Sequence, residues 1–421
     1  MDSFVIEGPV RLQGSVTVGG AKNAVLPVMT AALLCEGVSV IERVPHLRDT
    51  ETMAHLLRVL GARVEHQDNV MRIDTRGYDY CEAPYDLVKT MRASVYALGP
   101  LLARKGKARV SLPGGCAWGP RPVDLHLMGM EKLGAHIDIE HGYIVATAPQ
   151  GLHGAEIFFE IPSVGATINV MMAAVLAEGT TMLVNAAREP EIPDMAAALN
   201  AAGARIEGAG KHTIKIDGVK ELAPLQHVTM PDRIECGTFL IAGLMTGGDV
   251  TVTQCVPQHL KALLDKLQVA GAEVESGDDW VRVRGPGGIK PTDIITAPFP
   301  GFATDLQAQF MAAMAVANGV SLITETIYPD RFTHVAELRS LGAKIRLDGN
   351  IAVVTGSAKL SGAPVMATDL RASAALILAA FAAEGSTEIS RVYHIDRGYE
   401  RIEAKFAALG APIERRKGSG E

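Results

Sequence analysis

The residues of this chain that could do chemistry are few, and most stand at the start of long apolar runs. Lys22 lies in Gly20-Ala21-Lys22-Asn23, Arg92 in Met91-Arg92-Ala93-Ser94 and Arg371 in Asp369-Leu370-Arg371-Ala372. Asp305, in Thr304-Asp305-Leu306, and Ser163, in Ser163-Val164-Gly165-Ala166, open two more. An apolar run with helical spacing predicts a buried helix, and its N-terminus presents unpaired N–H groups and a partial positive charge, a seat for phosphate or carboxylate. Charged side chains at such a mouth are expensive unless paired or used. Taken singly, Lys22, Arg92 and Arg371 read as ion-paired surface residues. Their recurrence at equivalent places makes them candidates for one anion-binding cleft.

The other locus is the loop Leu112-Pro113-Gly114-Gly115-Cys116-Ala117-Trp118-Gly119-Pro120-Arg121-Pro122. A cysteine bracketed by glycines and prolines belongs on an exposed loop of the kind that closes over a site, and Arg121 beside it can bind an anion. Cys35 and Cys236 sit among apolar residues and read as structural, as do Cys81 and Cys255. His126 is close enough in sequence to suggest a thiol–imidazole pair, but no local signature of a cysteine hydrolase surrounds it. The segment G-S-V-T-V-G-G-A-K-N from Gly14 departs from a nucleotide phosphate loop, because Lys22 does not directly follow a second glycine and Asn23 stands where Ser or Thr is needed. Twelve histidines show no HExxH spacing and the cysteines no paired spacing, so no metal and no organic cofactor is expected; His55 and His259 read as surface polar residues.

The elements that position these residues are repeated. One phrase occurs six times at intervals of about 70 residues, longer than common solenoid periods: LRVLGARVE at Gly61, MEKLGAHID at Gly134, LNAAGARIE at Gly203, LQVAGAEVE at Gly271, LRSLGAKIR at Gly342 and FAALGAPIE at Gly410. Each reads as a helix stopped by a left-handed glycine and followed by a strand. Upstream of each lies an apolar helix ending in glycine, then a strand, with glycines at Gly37, Gly106, Gly179, Gly248, Gly319 and Gly385. The unit is strand, buried Ala-rich helix, strand, loop, second helix, strand and a closing strand. Six such units predict an α/β protein in two globular groups rather than a solenoid.

Composition sets the outer limits. With 48% hydrophobic and 21% charged residues the chain has ample core. A net charge of −7 disfavours binding to nucleic acid or acidic lipid. The longest apolar runs, such as 372–383, are well short of the roughly 20 residues that cross a bilayer, so no membrane partner is expected. No basic segment followed by an apolar stretch opens the sequence, which predicts a start near Met1, and scattered cysteines fit a reducing compartment, the cytoplasm.

Together VGGAKNAVLP from Val18, KTMRAS from Lys89, PGGCAWGPRPVDLH from Pro113, PSVGATIN from Pro162, FATDLQAQ from Phe302 and DLRASAAL from Asp369 resemble the motifs of UDP-N-acetylglucosamine enolpyruvyl transferases. The match runs through essentially the whole chain. It implies two globular domains of three repeats each, an inside-out α/β barrel with buried helices inside and sheets outside, and an active site in the interdomain cleft. The implied division is residues 21–229, carrying the Cys116 loop, and residues 1–20 with 230–421. The implied substrates are phosphoenolpyruvate and UDP-N-acetylglucosamine. The sister enzymes acting on shikimate 3-phosphate do not resemble the Cys116 loop, and a non-catalytic repeat scaffold leaves Cys116, Lys22 and Asp305 without a use.

Carried over residue by residue, the resemblance puts Lys22, Arg121 and Arg397 around the phosphate and carboxylate of phosphoenolpyruvate, with Asn23 at the reacting hydroxyl or tetrahedral centre. Arg92, Arg121, Pro122, Val123, Asp124 and Leu125 resemble the nucleotide-sugar site, with Ile161, Pro162, Ser163, Val164, Asp305 and Ile327 completing it. Where family members often carry a basic residue, this chain has Ile161-Pro162. Asp369 and Arg371 match a family motif. Cys116 is implied as the acid that protonates the methylene carbon and Asp305 as the base for the sugar hydroxyl. Cations beside a thiol lower its pKa from about 8.5, which makes Cys116 alkylatable, and the resemblance implies covalent inactivation there by the epoxide fosfomycin.

Overall fold

The computed structural model describes residues 2–88, 91–112, 123–356 and 359–418. All six glycines of the repeated phrase end a helix with positive φ, from 89° at Gly410 to 104° at Gly203. The alanine after each glycine donates its N–H to the carbonyl five residues back: Ala62 to Leu57, Ala135 to Met130, Ala204 to Leu199, Ala272 to Leu267, Ala343 to Leu338 and Ala411 to Phe406, all at 3.0 Å. This closure uses carbonyls that the helix leaves open and needs a left-handed residue, which only glycine adopts cheaply.

The upstream glycines behave differently from the sequence expectation. Only Gly106 caps its helix, Leu98–Lys105, directly. The helices Lys22–Ala31, Val164–Ala174, Arg233–Met245, Gln307–Met314 and Leu370–Ala382 stop three to six residues before theirs. In three of these the chain first tightens into i→i+3 bonds, Cys35 to Ala32, Ala177 to Ala174 and Ala317 to Met314, which take up the last helical carbonyls. The runs at Arg92 and Thr304 likewise open as 3-10 turns, Arg92–Ala97 and Thr304–Leu306, before the α-helix begins.

The chain divides into two compact units, Gly20–Met230, and Met1–Gly19 with Pro231–Glu421. Each holds three repeats and a hydrophobic core of its own. The first helix of each repeat is buried almost all round: 12 of 13 residues in Arg233–Met245 and 11 of 13 in Leu370–Ala382. A helix apolar on every side is stable only inside a core, and alanine and glycine let neighbours approach. A Cβ on Gly129, for example, would lie 2.3 Å from Val170 on the helix Val164–Ala174. The second helices, such as Arg48–Val59, bury one face.

Every repeat builds a sheet in the spatial order first, second, fourth, third strand, and in the sixth the first position is shared by Leu360–Ser361 and Pro364–Met366. The first two strands are parallel and the rest antiparallel, as in Glu82–Ala83, Lys107–Ser111, Tyr143–Thr147 and His136–Glu140. The strands alternate buried and exposed residues, so one face lies on the helices. Three strands come from far along the chain. Gln226–Val228 completes the sheet of Val38–Glu42. In the other unit Gln13–Thr17 lies parallel to Asp249–Thr253, and Ser3–Gly8 fills the closing-strand position between Ala383–Ser390 and Ile413–Arg416.

The glycine stop can be tested where nothing else changes. A Cβ on Gly203 meets no atom within 4 Å, so Gly203→Ala is opposed by its φ of +104° alone. We expect a cost of about 1–2 kcal/mol, read as a fall of about 2–8 °C in the thermal midpoint.

Candidate active site

In the unit Gly20–Met230, Lys22 is the first residue of the helix Lys22–Ala31, where a cation opposes the helix dipole and no side chain caps the end. Its Nζ lies 2.7 Å from Asp49 Oδ2, and both side chains are nearly buried. Asp49 sits in the first turn of Arg48–Val59, the end of a helix that favours a carboxylate. The approach to Lys22 is fixed by backbone contact: a Cβ on Gly20 would fall 1.8 Å from the carbonyl oxygen of Arg43. Asn23 is exposed on the same turn.

Arg92 begins the turn Arg92–Ala97. Val123 precedes the helix Asp124–Lys132, with Asp124 exposed and Leu125 partly buried against the core. Ile161 and Pro162 are exposed. Ser163 caps the helix Val164–Ala174 by accepting from the Ala166 N–H at 3.3 Å. Cys116, Arg121 and Pro122 lie outside the described residues. His126 is buried, and its Nδ1 accepts from the Asn169 amide at 3.0 Å; burial pushes its pKa down to about 4, so it is neutral. Asn169 also donates to the Val95 carbonyl and accepts from the Gly99 N–H, which makes His126 part of helix packing.

The other unit holds a buried charge network around Asp305, in the turn that opens Gln307–Met314. Asp305 Oδ1 lies 2.8 Å from Arg331 Nη1, and Oδ2 accepts from Arg371 Nη2 at 2.6 Å. Burial pushes the Asp305 carboxyl up, but the guanidiniums of Arg371 and Arg331 outweigh it and hold the group well below the usual carboxylate range. Arg371 also donates to the Tyr399 hydroxyl at 3.4 Å, and Tyr399 is bonded to Thr238 at 2.8 Å. Asp369 aims Arg371: it caps Leu370–Ala382, accepting from the N–H groups of Arg371 and Ala372, and holds the Thr333 hydroxyl at 3.0 Å.

Glu325 ties Ile327 to this network. It is fully buried and accepts from the Thr296 hydroxyl at 2.7 Å, the Thr304 hydroxyl at 2.8 Å, and the N–H groups of Ile327 and Tyr328 at 2.8 and 3.0 Å. Thr304 in turn accepts from Arg331 at 2.9 Å. Arg397 ends the turn Val392–Arg397, two residues before Tyr399, and is half-buried. Asp305, Arg371, Asp369 and Ile327 are thus joined in one unit, while Lys22 and Asn23 belong to the other. Two arginines facing one carboxylate and a phenol can bind an anion, or release the carboxylate to take a proton.

The family described as EPSP synthase (3-phosphoshikimate 1-carboxyvinyltransferase) matches residues 6–406. Far closer likeness is found to single proteins. The UDP-N-acetylglucosamine 1-carboxyvinyltransferase of Trichlorobacter lovleyi is 57% identical over 415 residues, 99% of each chain. That of Anaeromyxobacter sp. strain Fw109-5 is 58% identical over 421 residues, 99% of this chain and all of its own. This chain belongs to the UDP-N-acetylglucosamine 1-carboxyvinyltransferase family. The enolpyruvyl transferase NikO from Streptomyces tendae superposes with a TM-score of 0.88 at 27% identity over 98% of both chains. EPSP synthase from Acinetobacter baumannii shares the fold, with a TM-score of 0.75 at 17% identity over 99% of this chain and all of its own.

Within this carboxyvinyltransferase family framework, sequence reasoning missed Asp49, Arg331, Glu325 and Tyr399, the partners of the residues it singled out. It also passed over Asp232, which caps the fourth buried helix, Arg233–Met245, by accepting from the N–H groups of Ile234 and Glu235. Only the caps carried a signal, a carboxylate just before an apolar run.

Two buried imidazoles give the unit cores a pH response. Burial lowers His126 to about 4; burial, with Arg331 and against Asp369, lowers His334 to about 4. Between pH 6.5 and 4 the unfolded chain therefore binds protons that the folded chain refuses. Stability is complete above pH 6.5 and is lost as pH falls toward 4, on the order of 3 kcal/mol for each group. Asp305, with its depressed value, keeps its contribution through that window. Thermal midpoints taken from pH 7.5 down to pH 4.5 should fall, and His126→Asn, which retains an acceptor for the Asn169 amide, should make the fall shallower.

Proposed function

We propose that this chain transfers the enolpyruvyl group of phosphoenolpyruvate to the 3-hydroxyl of UDP-N-acetylglucosamine with release of phosphate, in the cytoplasm, as the first committed step of peptidoglycan synthesis. The observation that carries the reading is identity of 57–58% along essentially the whole chain to enzymes bearing that name. The buried Asp305–Arg331–Arg371 cluster supports it by supplying a carboxylate beside cations at the mouth of a buried helix. No described helix is long and apolar enough to cross a membrane.

In this mechanism Cys116 gives a proton to the methylene carbon of phosphoenolpyruvate, leaving a cationic C2. The sugar O3 attacks C2 as Asp305 takes the hydroxyl proton, and a tetrahedral ketal forms. A methyl proton then leaves, with Asp305 assisting, and phosphate departs with the electrons of its C–O bond. Lys22, Arg121 and Arg397 hold the phosphate and carboxylate, in a site drained of water. Asn23 steadies the tetrahedral centre. Arg92, Arg121, Pro122, Val123, Asp124, Leu125, Ile161, Pro162, Ser163, Val164 and Ile327 bind the nucleotide sugar. Clamped by two arginines, Asp305 is a weak base; a substrate anion that draws one guanidinium away raises its basicity at the moment it is needed. A thiol five residues from Arg121 in sequence is open to alkylation, so fosfomycin is proposed to bond to Cys116.

Phosphate release from phosphoenolpyruvate should depend on UDP-N-acetylglucosamine and fall by at least about 100-fold in Cys116→Ala and in Asp305→Asn. Release driven only by shikimate 3-phosphate assigns the chain to the sister reaction, and release with neither acceptor removes the reading. Intact-mass analysis after fosfomycin treatment should find one adduct, absent from Cys116→Ala; full activity at saturating labelling counts against the assignment. Glu325→Gln leaves a donor facing donors near Ile327 and should raise KM for the nucleotide sugar more than it lowers kcat.

A further inference from the structure

We propose that Tyr399 is a positioning residue for the proton acceptor of the transfer: it takes one N–H of Arg371, so that this guanidinium holds Asp305 by a single hydrogen bond and leaves the carboxylate able to accept the proton of the sugar hydroxyl. The role rests on the reaction proposed above, in which Asp305 is that acceptor. Tyr399 is 1% exposed and follows the turn Val392–Arg397. Gly398 brings the turn against the helix Leu370–Ala382, since a Cβ there would fall 2.5 Å from Leu370 Cδ2. The phenol thus reaches Arg371 by a close approach that a side chain at 398 would obstruct.

Donors and acceptors around the phenol sort in one way only. Burial pushes the Tyr399 pKa up against the pull of Arg371, so the hydroxyl is neutral and has one hydrogen. Arg371 Nη1 at 3.4 Å and Gln309 Nε2 at 3.3 Å can only donate, so the phenol oxygen accepts from both. Its hydrogen is left for Thr238 Oγ1 at 2.8 Å, whose own hydrogen goes to the Ile234 carbonyl at 2.9 Å. Gln309 Nε2 divides its two hydrogens among Tyr399, Thr238 Oγ1 at 3.1 Å and the Asp305 carbonyl at 3.0 Å. Reversing the amide would set oxygen against that carbonyl. Gln309 is fully buried and its Oε1 has no hydrogen-bond partner among the described residues, a loss that packing for stability alone would avoid.

The consequence lies in how Arg371 meets the carboxylate. A guanidinium commonly binds a carboxylate by two parallel N–H bonds, and each added bond favours the charged form. Here Nη2 alone donates to Asp305 Oδ2, at 2.6 Å, while Nη1 is turned to the phenol and Oδ1 is taken by Arg331. Without the phenol oxygen Nη1 is a buried donor in need of an acceptor, and a forked grip on Asp305 supplies one. Asp305 held in that way is a weaker base, and the proton of the sugar hydroxyl moves to it more slowly. The aromatic ring makes a separate contact, its centroid 5.8 Å from Arg371 Cζ, so exchange for phenylalanine removes the hydroxyl and keeps the ring.

The test compares the full chain with Tyr399→Phe, Thr238→Val and Thr238→Ser by steady-state phosphate release from phosphoenolpyruvate with UDP-N-acetylglucosamine, and checks the folding of each by thermal unfolding. Tyr399→Phe should lower kcat about tenfold and leave KM for both substrates within about twofold. Thr238→Val removes the acceptor of the phenol hydrogen, which then turns toward Arg371 as donor against donor, and should lower kcat in the same way. Thr238→Ser keeps the acceptor and should retain the parental kcat. That pair carries the test where Tyr399→Phe does not fold. An unchanged kcat in Tyr399→Phe, a rise in KM without a fall in kcat, or equal kcat in Thr238→Val and Thr238→Ser overturns the positioning role. A parent chain that releases no phosphate with this acceptor overturns the underlying reaction, and the role with it.

Discussion

A helix that is apolar on every side can carry charged groups only where its core ends. That constraint governs this molecule. Six buried helices leave their N-terminal turns as the places where a charged side chain can project, and Lys22, Arg92, Asp305 and Arg371 all stand in such turns, with Asp232 and Asp369 as caps. The same arrangement that packs the core therefore sorts chemistry to one end of each repeat. The glycine stops, with φ near 100° six times over, let each second helix turn directly into a strand, so the sheet covers the helix without lengthening the repeat.

Charge placed at the edge of a core must be matched there. Asp305 is met by two arginines and Lys22 by Asp49, at 2.6 to 2.8 Å, with little exposure on either side. Removing one partner of such a pair leaves an uncompensated buried charge, a loss of about 3–5 kcal/mol. Each pair is at once a structural commitment and a reservoir of charge that an anionic substrate can engage by exchange. Asp369 and Glu325 show how finely the aim is kept: one fixes the start of the helix bearing Arg371, and the other accepts from Thr304 and Ile327 among four donors.

The repeat was legible because it is local. A glycine after a helical run and alternation after that glycine are read within ten residues, and the family motifs mark the helix mouths one by one. The counter-charges were not legible. Arg331 is 26 residues from Asp305, Arg371 is 66 away, and Asp49 is 27 from Lys22, in segments with no motif of their own. Helix ends were read too simply as well, since the 3-10 turn Arg92–Ala97 that opens Leu98–Lys105 and the one that closes Lys22–Ala31 depend on where carbonyls find partners.

The two strands at the beginning of the chain bear on how the protein is made. Gln13–Thr17 waits for Asp249–Thr253, and Ser3–Gly8 for Ala383–Ser390 and Ile413–Arg416. A ribosome that has delivered Met230 has delivered the whole of one unit but only two strands of the other. Vectorial synthesis therefore offers the unit Gly20–Met230 a complete set of partners midway through translation, while the sheet edges of Ser3–Gly8 stay unmatched until the last residues emerge, an interval in which a cell must keep that strand from pairing elsewhere.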